Sequence, residues 1–159
     1  RMDCVIQFGS YPSADSNHVQ LFLEQHVAVC SRDLFENRHA MRASSPLHVF
    51  DKGISFPLWR DWLAHEPNFP DLPTGPLMKF SSLELAIQAA KNSVGVAIVD
   101  RNMIEYELEA GSLVQISPIT VAGPSGYWLE ISQEQQAKAS SIQFFRWLRS
   151  VSGPTPGKS

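Results

Sequence analysis

Phe80–Asp100, FSSLELAIQAAKNSVGVAIVD, is the stretch whose reading decides the fold. Ser81 with Glu84 three residues on is a capping-box pair, which predicts a helix beginning there with Ser82 just inside it. Leu83, Ala86, Ile87, Ala90 and Val94 recur at helical spacing and form one apolar stripe. Asn92 and Ser93 weaken the last turn, and Gly95 is expected to close it in a left-handed conformation. Val96–Val99 then follows as a short apolar run suited to a strand buried on both faces. Helix, turn and buried strand make half of a βαβ unit. The helix start, with two hydroxyls and unpaired backbone N–H groups, is also a ready place for a carboxylate or other anion.

Working outward, the 159 residues are enough for one domain or two small lobes, which would bury roughly 70% of the unfolded surface. Apolar content of 43% and charged content of 18% place the chain among ordinary globular proteins. No apolar run approaches the roughly 20 residues of a membrane span. Arg1 precedes Met2, so a native start is not expected, and no secretory leader is visible in the residues shown. Cys4 and Cys30 lie in apolar strand-like runs without CxxC spacing and are expected to be reduced core thiols of a cytoplasmic protein. A net charge of −3 disfavours nucleic-acid binding by this segment, because phosphate contacts need a concentrated basic face.

In chain order, DCVIQFG (Asp3–Gly9) reads as a strand and Ser10–Asn17 as a loop. A second strand is expected around Val19, Leu21 and Leu23, and a third over His26–Cys30, with Ser31 capping the short helical turn RDLFEN. Ala43–Pro46 reads as a loop before a strand at Leu47–Phe50. Ser55–His65 reads as a helix with Pro57 in its first turn and with Trp59 and Trp62 on a core face. Four prolines between Pro67 and Pro76 make a stiff connection. After the opening stretch, Asp100 is expected to cap a helix through Leu108 that stops at Gly111. Leu113–Ile116 and Tyr127–Ile131 read as strands around a connection at Pro118–Ser125. Glu134–Val151 reads as the longest helix, and residues 152–159 as a disordered tail. Alternating strands and helices give an α/β class.

Several of these segments together carry a specific resemblance. DCVIQFG, VAVCSRDLF, WRDWLA, FSSLELAIQAAKNSVGVAIV, YELEAGSLVQI and GYWLEIS…FFRWLRS occur in order from Asp3 to Arg149. Together they resemble the C-terminal effector-binding half of LysR-type transcriptional regulators, in the subgroup of the glycine-cleavage and β-lactamase activators. The resemblance implies a type 2 periplasmic-binding-protein-like fold: two α/β lobes joined by two crossing strands, with a small effector in the cleft. Residues 1–26 and 119–151 would form the first lobe, here incomplete, and 27–118 the second. The family's N-terminal DNA-binding domain would be missing. By the same resemblance, effector contacts fall on Gln7, Phe8 and Gly9, on Phe80, Ser81 and Ser82, and on Tyr127. Many family members have an arginine at the position of Gln7, so a strongly anionic ligand is less expected there. The implied partners are a small-molecule effector and a second or further copies of the chain, as a dimer or tetramer. DNA would be met only through the missing domain, and no cofactor, metal or membrane is implied.

Catalysis has little support in the residues. His18, His26, His39, His48 and His65 show no HExxH or paired-ligand spacing, and there is no GxSxG elbow. Asp33 and Glu36 read as solvated surface. The expectation is therefore an effector-sensing module rather than an enzyme. An extracytoplasmic solute-binding protein of the same fold is the alternative.

Overall fold

The computed structural model describes residues 4–10, 18–55 and 57–131 together with Gln143, Arg146 and Trp147. In order, the elements are β1 (Cys4–Gly9), β2 (His18–Cys30), α1 (Arg32–Glu36), α2 (Arg38–Ala43), β3 (Ser45–Asp51) and β4 (Ile54–Ser55). Then come α3 (Leu58–His65), β5 (Met78–Phe80), α4 (Leu83–Lys91), β6 (Gly95–Asp100), a 3-10 turn (Arg101–Met103), α5 (Glu105–Ala110), β7 (Val114–Gln115) and β8 (Val121–Ile131). They fall into two units: residues 1–24 with 122–159, and Gln25–Val121.

The Gln25–Val121 unit is built around β6. Every residue of this strand is buried, as its uninterrupted apolar run requires. It lies antiparallel to the second half of β2 (Val27↔Val99) and parallel to β3 (Leu47↔Ala97). β5 is parallel to β3 (Leu47↔Met78), so β5 completes a βαβ crossover of which the sequence predicts the helix and the second strand. Alternation sorts the side chains into two layers. Ala28, Cys30, Val96 and Ile98 pack with Leu34, Met41, Trp59 and Trp62 from α1, α2 and α3. Val27, Val29, Ala97 and Val99 pack with Ile87 and Ala90 of α4 and with Ile104. Helices therefore cover both faces of the sheet, the α/β arrangement expected from the element order.

Local chemistry corrects several sequence expectations. The cap of α4 is Ser82, whose hydroxyl accepts the Leu85 N–H at 3.2 Å, and not Ser81. Glu84 thus sits in the first turn without completing a capping box. At the other end the left-handed residue is Ser93 (φ 63°), not Gly95. Its N–H donates to Ala90 O, and the N–H of Val94 donates to Ala89 O, both at 3.1 Å, the paired bonds of a Schellman closure. The Ser93 and Ser31 hydroxyls share a 2.7 Å hydrogen bond, which offsets the unfavourable φ of a residue bearing a Cβ. Gly95 serves close approach instead: a Cβ there would run into the Ser45 carbonyl oxygen and lie 2.8 Å from its carbon.

Other boundaries also move. The expected second and third strands are a single 13-residue strand, β2. The helix expected from Ser55 begins at Leu58 with Pro57 at its cap, and Asp100 caps only the 3-10 turn, α5 following with Ile104 at its cap. α2 escapes a periodicity reading because Met41 is its one buried residue. The stretch expected as a connection at 118–125 is largely strand, since β8 starts at Val121. Ser31 does cap α1, Trp59 and Trp62 are core, and Asp33 and Glu36 are exposed, as expected. Asp71, 4% exposed, is neutralised by Arg42 at 2.9 Å and Arg38 at 3.3 Å.

In the other unit, β1 runs antiparallel to β8 from Cys4↔Ile131 to Gly9↔Gly126, and β8 neighbours β2. Leu21 and Leu129 form its small core, with Phe22 and Tyr127 packed against them. Of the loop expected at Ser10–Asn17, residues 11–17 lie outside the described residues, and so does the tail expected to be disordered at 152–159. So does the expected long helix, except for Gln143, Arg146 and Trp147, which are helical.

Cys30 is a buried free thiol, and burial pushes its pKa up from 9.0 to about 12. An unfolded thiol loses its proton near pH 9 while the folded one keeps it, so above that pH the native state binds more protons. Stability should therefore fall from about pH 9 towards pH 12, by up to about 1.4 kcal/mol per pH unit from this group. Urea titrations at pH 8 and pH 10.5 on the wild type and Cys30→Ala check this. The pH-dependent loss should be smaller in the variant, and an equal loss in both would refute the assignment.

Candidate functional site

The residues expected at the site form two groups, one in each unit. In the first, β1 and β8 pair Gln7 with Trp128, Phe8 with Tyr127 and Gly9 with Gly126. Strand alternation sends the Gln7 and Phe8 side chains to opposite faces of the sheet. The Phe8 ring, 57% exposed, packs on Tyr127 at 5.0 Å between centroids, and Tyr127 packs on Phe22 at 4.7 Å. Phe8, Tyr127 and Phe22 are therefore a continuous aromatic face with one open end. On the other face, the Gln7 amide donates to Glu130 Oε2 at 3.1 Å. That carboxylate is also 3.8 Å from His18 Nε2. The Gly9 carbonyl accepts the Trp128 indole N–H at 3.1 Å, which fixes the strand end. A Cβ on Gly9 would meet nothing within 4 Å.

In the second group, β5 ends at Phe80 and the chain turns through exposed Ser81 into Ser82 and α4. β5 is parallel to β3, so Phe80–Ser82 lie at the carboxyl end of the parallel strands, the usual ligand side of an α/β sheet. The Ser82 hydroxyl is committed to the Leu85 N–H and the Ser82 carbonyl to the Ala86 N–H at 3.3 Å. Ser81 carries no structural hydrogen bond of this kind. Ser82→Ala should therefore cost about 1 kcal/mol, while Ser81→Ala should be close to neutral. Thermal unfolding of the two variants separates them, and equal melting temperatures would contradict the capping geometry.

Trp128, Phe22 and Glu130 are the neighbours that sequence reasoning missed. The antiparallel register of DCVIQFG against GYWLEI places Trp128 beside Gly9 and Glu130 beside Gln7, while β2 brings Phe22 onto Tyr127, and nothing in one sequence states these pairings. Among the described residues no group of three or more His, Cys, Asp or Glu could hold a metal ion. No helix there is long and apolar enough to cross a membrane.

The family model described as the LysR substrate binding domain matches residues 1–153. The chain belongs to the LysR substrate-binding domain family. The transcriptional activator AmpR of Providencia stuartii is 30% identical over 153 residues, covering 92% of this chain and 49% of that protein. The transcriptional regulator DsdC of Escherichia coli K12 is 28% identical over 159 residues, covering 93% and 50%. This LysR-family chain thus spans about half the length of the curated relatives it matches. Among solved structures, the effector domain of Pseudomonas aeruginosa AmpR matches with a TM-score of 0.65 at 20% identity, over 95% of this chain and 72% of that one. Full-length LysG of Corynebacterium glutamicum, solved with its effector Arg, matches with a TM-score of 0.57 at 17% identity, over 94% and 50%. The fold is that of LysR effector-binding domains, the periplasmic-binding-protein-like class expected from the sequence.

Proposed function

We propose that this chain is the effector-sensing domain of a bacterial LysR-type regulator, acting in the cytoplasm as a binding module and not as an enzyme. The observation that carries the reading is the LysR substrate-binding family match across residues 1–153. An extracytoplasmic solute-binding protein of similar fold is disfavoured, because the curated relatives are named helix-turn-helix regulators over the same residues. A small effector would favour one conformation of the domain over another and so change how copies assemble, as a dimer or tetramer, and how the intact regulator holds DNA. The two units would serve as the two lobes.

The candidate effector contacts would be Gln7, Phe8, Gly9 and Tyr127, and Phe80, Ser81 and Ser82. The aromatic face of Phe8 and Tyr127 suits an apolar part of the ligand. The first turn of α4, with the exposed Ser81 hydroxyl beside it, suits a carboxylate or carbonyl. Gln7 brings a neutral amide that Glu130 already engages, which argues against a strong anion at that point. LysG is solved with Arg, so α-amino acids are the first compounds to try.

The test is a promoter reporter driven by the intact regulator, with Gly9→Ala and Ser81→Ala introduced. Both substitutions fit the fold, so protein level should hold while the response to inducer falls several-fold. Full induction by both variants would remove these residues from the site.

A further inference from the structure

The Phe80–Ser82 turn is carried by β5, and β5 is a weak anchor by itself. It is three residues long, pairs among the described residues with β3 alone, and leaves Met78 and Lys79 exposed. A short edge strand of that kind opens locally unless something else holds it. Residues 66–77, which lead to it from α3, contain four prolines and neither helix nor strand.

That connection is nonetheless fastened along its length. Phe69 and Leu72 pack against the core, Phe69 edge-on to Trp62 at 5.8 Å. Asp71, 4% exposed, accepts from Arg42 Nε at 2.9 Å and lies 3.3 Å from Arg38 Nη1. The Thr74 N–H and hydroxyl both donate to the Arg42 carbonyl at 2.8 Å, and the Gly75 N–H donates to the Ser44 carbonyl at 2.8 Å. These acceptors lie at the end of α2, where a helix leaves its carbonyls without partners. Arg42 is therefore gripped twice, its guanidinium by Asp71 and its carbonyl by Thr74. Gly75 permits the approach, since a Cβ there would lie 2.5 Å from the Ser44 oxygen and 2.7 Å from the Ala43 oxygen. β5 begins at Met78, directly beyond this contact.

Burial decides which link matters. The Arg38 and Arg42 side chains are 78% and 56% exposed and stay solvated if the pair breaks. Asp71 does not, because a carboxylate buried without its partners is strongly disfavoured. It must stay on Arg42 or carry the connection out to water with it. We propose that Asp71 is a positioning residue: through Arg42 it clamps residues 66–77 onto α2 and so fixes the Phe80–Ser82 end of β5. The consequence for sensing rests on the assignment of Phe80–Ser82 to the effector site, and the clamp itself does not.

Amide hydrogen exchange on the full chain, with no ligand present, tests the clamp. In Asp71→Ala, exchange should rise about tenfold or more at Thr74 and Gly75 and over Met78–Phe80, with Val29 and Ala97 unchanged. Gly75→Ala, which lifts the connection sterically and leaves the carboxylate alone, should give the same pattern. Ile98→Val lowers the stability of the sheet without touching the connection and should not single out Met78–Phe80. Should Asp71→Ala fail to fold, Asp71→Asn keeps the volume and one acceptor and should accelerate the same amides by about threefold or more. A promoter reporter driven by the intact regulator is then titrated with the L-α-amino acids. In Asp71→Ala the concentration at half response should rise several-fold at an unchanged maximum, a shift that Ile98→Val does not produce. Exchange over Met78–Phe80 that stays at the wild-type rate, or that rises equally at Val29 and Ala97, would overturn the proposal. Faster exchange with an unmoved half response would uphold the clamp and overturn the assignment of Phe80–Ser82 to the effector site.

Discussion

Gly95→Ala should destabilise the Gln25–Val121 unit by about 3 kcal/mol or more, the upper end of what overpacking a core costs. The new methyl would meet the Ser45 carbonyl oxygen and lie 2.8 Å from its carbon and 3.1 Å from its nitrogen. These are backbone atoms of β3, paired with Gly95 in the parallel ladder, so no rotamer change relieves the clash. Either the β3–β6 ladder opens at its first pair or the turn from α4 is displaced. Denaturant unfolding followed by far-ultraviolet circular dichroism gives the number. Gly9→Ala is the control, since its added methyl has open space and the substitution should be neutral or mildly stabilising. A loss below about 1 kcal/mol for Gly95→Ala would mean that β3 and β6 do not approach as described.

Trp62→Ala should cost about 3–5 kcal/mol. Trp62 is wholly buried in the layer beneath α3, 6.5 Å from Trp59 and 5.8 Å from Phe69 between ring centroids, both edge-on. Alanine would leave a cavity under the sheet and remove two aromatic contacts. Trp62→Phe should cost about half of that or less, because it keeps a ring and removes an indole N–H without a partner among the described residues. Trp59→Phe should cost more than Trp62→Phe, because the Trp59 indole N–H donates to the Leu47 carbonyl at 2.9 Å and phenylalanine loses that hydrogen bond. The comparison is read from the denaturant midpoints of Trp62→Phe and Trp59→Phe. Greater damage from Trp62→Phe than from Trp59→Phe would show that the hydrogen bonding has been read the wrong way round.

Elements that rest on local periodicity were legible in the sequence. The stripe Leu83–Ala90 and the run Val96–Val99 suffice to place α4 and β6, because a long apolar pattern has one good solution. The errors cluster where tertiary contacts choose between local alternatives. Ser81 and Ser82 are equally good caps in isolation, and the end of β5 at Phe80 decides for Ser82. Gly95 looks like a helix terminator until β3 is laid beside it. Ser93 adopts the left-handed conformation because Ser31, 62 residues earlier, provides a hydrogen bond. The first half of β8 reads as a connection because it carries Gly123 and Pro124, and the Gly123 requirement appears only when Glu24 lies against it. The candidate site residues lie in short motifs that the sequence shows, but the neighbours that pack beside them, Phe22, Trp128 and Glu130, depend on strand register.

The central proposal is that the chain receives a small effector, with Phe8, Gly9, Tyr127 and Phe80–Ser82 among its proposed contacts. Amide-resolved nuclear magnetic resonance of the isolated chain, titrated with a compound that induces the intact regulator, tests it most directly. Saturable shifts should appear at Phe8, Gly9 and Tyr127 and over Phe80–Leu83, with Val29 and Ala97 in the sheet core little moved. Saturation by the inducer with neither group shifted would contradict the account.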